Sequence, residues 1–423
     1  MAVPPPRALD ALLLLPLLLL LLAAGGAEAG RLPAAGAPAE LKRQAAKPSL
    51  DGVFLALDSA RALYSAGRWE QEFRAMQAVG INFFAVRPTA APLAGGGAGC
   101  DHVMGRWGLY YPAAGLAPAA CFEQVGAGLD TRRPEDSTVG TMLRVAKQLG
   151  MRAHFGLAVE LPAGGRGRDQ GTDAPGAQFA TGDRDPRAWH NATAAFPNHS
   201  AKWKAYAAVQ HSVAAGVWAA FGAEYGGEGG TLAGFYTDVE LNNLVGFLDQ
   251  TADIATRYYE PLAKDIKALS PHLTVWASPY YVGNPIHPPA TIMDPALFSQ
   301  WWKQIFVEAP HFDLLGPQDA TGYQGNSFAN VSAFLTPLRR ISTEMGRAMW
   351  SNVELFEAWP PTCRYPDACG RHPGPIERIT KQLANEAPHA DALIAWEWAS
   401  CLSPYTNENT TLLYQEYKAY VEG

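Results

Sequence analysis

From Val53 onward the chain alternates two hydrophobic rhythms. Short, nearly continuous apolar runs rich in β-branched and aromatic residues predict strands, and stretches with apolar residues every three or four positions predict helices. The first strand is expected over 53–59 and is followed by a helix over 68–79 that Gly80 stops. The second strand, 81–87, is closed by Pro88, and its helix runs over 138–149 to Gly150. Strand 3 at 151–160 precedes helix 201–223, and strand 4 at 232–240 precedes helix 250–269. Strand 5 at 273–280 leads to a helix opening near Asp294-Pro295, where proline is tolerated in the first turn. Strand 6 at 312–319, helix 328–345, strand 7 at 348–356, helix 374–386, strand 8 at 391–398 and helix 409–421 complete the series.

Near-continuous apolar strands alternating with helices argue for a parallel sheet covered on its outer face. Eight such units predict a (β/α)8 barrel, with its site at the C-terminal face. The segments after the strands are much longer than those after the helices, as that face requires. The competing open, doubly wound sheet would bring a Gly-rich phosphate turn, and no GxGxxG follows any strand.

The barrel is expected over 49–423, after a low-complexity Ala/Gly/Pro linker over 30–48. Residues 1–29 read as a cleaved signal peptide: Arg7, an apolar run from Leu12 to Ala24, then Ala27-Glu28-Ala29. That run is shorter than the ~20 residues that span a bilayer. A secreted or lumenal protein follows, with no membrane contact once the leader is removed. Asn191, Asn198, Asn330 and Asn409 head N-glycosylation triplets.

Composition removes several alternatives. A net charge of −7 gives no electrostatic reason to bind nucleic acid. Among the five cysteines, Cys363 with Cys369 and Cys100 with Cys121 suit loop disulfides, leaving Cys401 over. No Cys/His cluster has metal spacing and no HxH pair exists, so no metal or other cofactor is expected. The absence of GxSxG argues against an esterase. Oligomeric state is not legible.

The chemistry lies at the predicted strand ends. Asp58, Arg87, Glu160, Glu240, Gln318 with Asp319, Glu354 with Glu357, and Glu397 fall there, interleaved with Trp276, Tyr280, Tyr281, Trp359, Trp396 and Trp398. An acidic, aromatic-lined bowl suits a sugar, whose hydroxyls bond to acids and whose C–H faces cover rings. Glycosidic cleavage needs one carboxyl group to protonate the leaving oxygen and another to attack the anomeric carbon or activate water. Strands 4 and 7 oppose each other across an eight-strand ring, which selects Glu240 and Glu354 as the catalytic pair. Asp238, two residues before Glu240 and on the same side of a regular strand, rivals it as the acid, and Glu357 rivals Glu354. The candidate substrate-binding residues are Asp58, Arg87, Asp238, Trp276, Tyr280, Gln318, Asp319, Asn352, Trp396 and Glu397.

Five segments, GVFLALDSARALYS, GFYTDVEL, VWASPYY, LLGPQDATG and WSNVELFE, carry a resemblance. From about Pro48 onward the chain resembles an uncharacterised family of glycoside-hydrolase-like barrels, a domain of unknown function. That family in turn is similar to the large retaining glycosidase clan, with its acid/base on strand 4 and its nucleophile on strand 7. The resemblance implies acid/base Glu240 and nucleophile Glu354. Val239 stands where that clan carries the Asn that bonds the sugar 2-hydroxyl. Two functions follow as expectations: a secreted, retaining glycoside hydrolase, or a non-catalytic barrel that binds a carbohydrate without cutting it.

Overall fold

Eight of the apolar runs pair side by side, all parallel, in a computed structural model describing residues 47–58, 60–87, 90–93, 106–110, 122–124, 133–157, 199–237, 239–283, 291–359 and 370–423. The strands are β1 (Gly52–Ala56), β2 (Phe83–Arg87), β3 (Arg152–Gly156), β4 (Leu232–Thr237), β5 (Thr274–Ala277), β6 (Leu314–Leu315), β7 (Ala348–Glu354) and β8 (Ala392–Trp396). They follow one another in sequence order and β8 closes on β1, so the sheet has no free edge. The principal helices are α1 (Ala66–Gln77), α2 (Thr138–Gln148), α3 (His199–Tyr225), α4 (Glu260–Leu269), α5 (Pro295–Glu308), α6 (Phe328–Glu344), α7 (Ile376–Glu386) and α8 (Glu408–Glu422). The expected (β/α)8 barrel is the observed fold.

Helix boundaries follow from local chemistry. Ser65, Ser137, Asp294 and Ser327 each accept a backbone N–H of the first turn of α1, α2, α5 and α6, satisfying a donor that has no partner within the helix. Asn407 and Thr410 form a reciprocal capping box on α8. At the other end, Gly80 and Gly346 take φ of +86° and +64°, the left-handed conformation that ends a helix cheaply only at glycine. No described helix is long and apolar enough to cross a membrane.

Strand alternation divides the side chains between two cores. Outward-facing residues such as Val53, Phe84, Phe155, Phe235 and Val275 pack under the helices. Inward-facing Phe54, Phe83, Ala85, Tyr236, Trp276, Leu314, Ala392 and Ile394 fill the barrel, with Trp350 and Trp396 against them. Rings meet at close range there: Tyr236 and Trp276 at 4.7 Å, Trp276 and Trp350 at 4.9 Å between centroids. His154 lies among them, and its Nδ1 accepts the Trp276 indole N–H at 3.2 Å. Burial, and secondarily Arg152, pushes the His154 imidazole down to about 3, so the ring is neutral.

Several strands stop earlier than their apolar runs. β4 ends at Thr237 instead of Glu240, because the chain turns at Val239, whose carbonyl accepts Leu241 N. β6 comprises two residues because Pro317 has no N–H to give the ladder. Pairing resumes past it through single bridges from Tyr280 to Gln318 and from Gln318 to Asn352. The expected helix 250–269 is built of short pieces, including a π-helical stretch Ile254–Tyr259, before α4 proper. A three-stranded sheet (Ala90–Leu93, Arg106–Leu109, Phe122–Gln124) follows β2, and an antiparallel pair (Phe356–Trp359, Gly370–Pro373) follows β7.

Candidate active site

The inward face of β7 reads Trp350, Asn352, Glu354 from bottom to top, and these residues register with Ala392, Ile394 and Trp396 of β8. The two lower pairs border the aromatic fill. The top pair, Glu354 with Trp396, therefore stands above that fill at the C-terminal mouth. The Trp396 ring carries the Arg87 guanidinium, whose Cζ lies 5.0 Å from the ring centroid. Arg87 is the last residue of β2 and donates through Nη1 to Glu240 Oε1 at 2.7 Å. The Arg87 side chain is 6% exposed and that of Glu240 17%, so the ion pair is largely sheltered from solvent. Glu240, Arg87, Trp396 and Glu354 thus form one continuous series around the mouth.

Tyr280 and Gln318 lie on the neighbouring arc, with Asn352 buried below it. Asn352 donates to Ser278 Oγ at 3.0 Å, and Ser278 donates to Gly316 O at 2.7 Å. Gln318 Nε2 donates to Ser278 O at 2.8 Å, while the Tyr280 hydroxyl accepts Asn242 Nδ2 at 2.8 Å. Asn352 Oδ1 is buried and accepts nothing among the described residues. Tyr280 and Gln318 are half-buried and Asn352 is buried.

Other expected site residues have structural posts instead. Trp276 is fully buried in the barrel, bonded to His154, and lines no mouth. Tyr281 and Trp398 are likewise buried: Tyr281 stacks on Phe334, and Trp398 donates to Glu72 at 2.7 Å. Glu397 turns its carboxylate onto the backbone N–H groups of Ala56, Ala399 and Ser400, capping the turn after β8. Asp58 is consumed by Arg61, through the backbone N at 2.7 Å and Nη1 at 2.9 Å. Glu357 pairs with Arg378 at 3.2 Å. Val239 is buried and presents nothing to a ligand. Asp238, Glu160, Asn191, Asn198 and the pairs Cys100/Cys121 and Cys363/Cys369 lie outside the described residues. Cys401 is a free, buried thiol pushed up to about 12 by burial and then by Glu397.

Asp319 sits behind the site instead of in it. It is fully buried, and its carboxylate accepts the backbone N–H of Glu354 at 3.2 Å and of Thr321 at 3.1 Å, together with the Gln382 amide. The turn that makes this possible passes through Ala320, a non-glycine residue held at φ +52°. It brings Gly322 so close that a Cβ there would meet Phe356 O at 2.0 Å and Glu354 Oε2 at 3.3 Å. Arg378 completes the support, donating to Glu354 O at 3.1 Å, Phe356 O at 2.9 Å and Gln382 Oε1 at 2.7 Å. Arg378, Gln382 and Glu386 escaped the strand-end reasoning because they belong to α7. Their spacing of four residues, beside apolar Ile379 and Leu383, is the sequence signal that marks one inward polar stripe. Among the described residues no group of three or more His, Cys, Asp or Glu side chains is placed to hold a metal ion.

Comparison with known proteins agrees with this frame. The model of a family described as a domain of unknown function, DUF4434, matches residues 176–408, more than half of the chain. Among solved structures the chain is similar to a candidate alpha-L-fucosidase from Bacteroides thetaiotaomicron, with TM-score 0.59 and 18% identity over 89% of this chain and 94% of that one. It is also similar to a glycoside hydrolase family 5 mannosidase from Rhizomucor miehei, with TM-score 0.49 and 13% identity over 89% and 93% of the two chains. At 18% identity the first of these likenesses is one of fold alone, a (β/α)8 barrel. No curated protein matches the chain in sequence.

Proposed function

The chain belongs to the DUF4434 family, and from that premise we propose that it is a retaining glycoside hydrolase, with Glu354 as nucleophile and Glu240 as acid/base. The observation that carries the reading is the series Glu240, Arg87, Trp396, Glu354 above a filled barrel. Glu354 attacks the anomeric carbon while Glu240 protonates the leaving oxygen, and Glu240 then deprotonates the water that releases the sugar. Arg87 fixes one oxygen of Glu240, leaving Oε2 for the leaving group.

The Arg87–Glu240 ion pair favours a second reading. A carboxylate held by a guanidinium accepts hydrogen bonds from hydroxyls more readily than it delivers a proton, which suits a carbohydrate-binding barrel without turnover. A hydrolysis screen over aryl glycosides and defined glycans, run on the parent beside Glu354→Gln and Glu240→Gln, separates the two. Cleavage lost in Glu354→Gln and lowered about 10²–10⁴-fold in Glu240→Gln supports the hydrolase. Glycan binding that survives both changes, with no cleavage by the parent, supports the binding protein.

The proposal places the protein in the secretory pathway, on the strength of the leader over 1–29. Asn409, exposed in the first turn of α8, is the described triplet suited to carry a glycan. Asn330 is half-buried, with its amide donated to Gly283 O at 2.8 Å. N-terminal sequencing and glycopeptide mapping of secreted material test both points.

A further inference from the structure

Behind Glu354 two fully buried carboxyl groups, Asp319 and Glu386, lie close together. Glu354 is nearly as buried, and Ser351, Gln382 and Tyr281 close the space around them. Burying several like charges without compensation costs more than a fold can recover, so such a cluster sheds charge by keeping a proton. Geometry indicates where the proton sits. Asp319 accepts three N–H donors and so has the larger share of bonds that favour a charged carboxylate. Glu386 accepts a single donor, the Ser351 hydroxyl at 2.5 Å on Oε2. Its Oε1 is buried without a hydrogen-bond partner among the described residues, and the carboxyl lies within interaction range of Asp319. Two carboxyl groups bond only when one supplies a hydrogen.

We propose that Glu386 carries a proton at neutral pH and donates it to Asp319, and that this pair, through Asp319, holds the backbone of Glu354 in its orientation at the barrel mouth. Glu386 is thus a positioning residue, and only its effect on the site rests on the glycosidase reading. Burial first, then Asp319 and Glu354, push the Glu386 carboxyl well above its ordinary value of 4.5, against a smaller opposing effect of the Ser351 hydroxyl. Tyr281 borders the same cluster, and burial with the fields of Glu386, Asp319 and Glu354 keeps its phenol protonated. Arg378, on the same helix, directs its donors to backbone carbonyls, Gln382 and Glu357.

The sign of the linkage is definite. A raised carboxyl binds its proton in the folded chain and loses it in the unfolded chain above 4.5, so its contribution is complete below that pH and declines as pH rises. Glu386→Gln keeps an acceptor for Ser351 and gives Asp319 an N–H donor, without a titrating group. The parent at neutral pH is expected to show the infrared carbonyl band of a buried carboxylic acid, and Glu386→Gln to lack it. The melting temperature of Glu386→Gln relative to the parent is expected to climb from pH 4.5 to about 7.5. In a glycan hydrolysis or affinity assay, Glu386→Leu is expected to lose about 10²-fold and Glu386→Gln to restore most of it. A parent without the acid band, or a flat melting difference, overturns the proton assignment. Glu386→Leu with parental activity or affinity overturns the positioning role. The infrared titration needs only the parent, so it decides even where a variant fails to fold, and it needs no substrate.

Discussion

The backbone N–H of Glu354 ends on the carboxylate of Asp319, so the residue proposed to attack substrate is oriented by one that no ligand touches. Asp319→Asn turns an acceptor into a donor opposite the Gln382 amide. Whichever way the new amide faces, at least one N–H of the cluster is left buried and unmatched: Gln382 in one orientation, Glu354 and Thr321 in the other. A loss of about 1–3 kcal/mol in unfolding free energy is expected by urea titration, with a larger fractional loss in glycan cleavage than in glycan affinity.

Removing the charge of Arg87 leaves Glu240 largely sheltered without its partner. Arg87→Met is expected to destabilise by about 1–3 kcal/mol. Adding Glu240→Gln is expected to recover part of that loss. A double-mutant cycle over the four proteins measures the coupling, and additive losses would show that the pair contributes nothing.

Trp276 separates packing from recognition. Trp276→Phe retains an aromatic fill but leaves His154 Nδ1 without its donor in the barrel interior. Stability is expected to fall by about 1–3 kcal/mol, with glycan affinity unchanged. Trp396→Phe, at the mouth and under Arg87, is expected to change affinity instead. Calorimetric melting beside ligand titration of the two variants tests the contrast.

His154 imposes a pH dependence of its own. Its imidazole is lowered from 6.5 to about 3, so the unfolded chain binds the extra proton as pH falls. The associated stability is complete above 6.5 and is lost progressively toward 3. His154→Gln is expected to flatten the fall in melting temperature on the acid side of 6.5. A parent whose melting temperature stays constant from 6.5 to 4 would sink this expectation.

The barrel was readable because each strand is an uninterrupted apolar run and each helix carries its own cap and stop, as with Ser65 and Gly80 around α1. The strand ends were not, since hydropathy does not register that Val239 turns the chain or that Pro317 withholds a hydrogen bond. Glu354 closes β7 as strand counting expects, whereas Glu240 lies three residues past the end of β4. Trp276 was misplaced because a ring that fills a barrel and a ring that lines its mouth carry the same inward parity. Glu397 was misplaced because a carboxylate that caps backbone N–H groups is indistinguishable in sequence from one awaiting a sugar. Glu386 went unnoticed as one more acid on an amphipathic helix, since only the fold brings α7 beneath β7.

The rings packed between Phe54, Tyr236, Trp276 and Trp350 make the barrel a well with a floor. Among the described residues the interior leaves no way through to the far side. Under the glycosidase reading, a sugar that reaches Glu354 and Trp396 has to come and go on the C-terminal side of that floor.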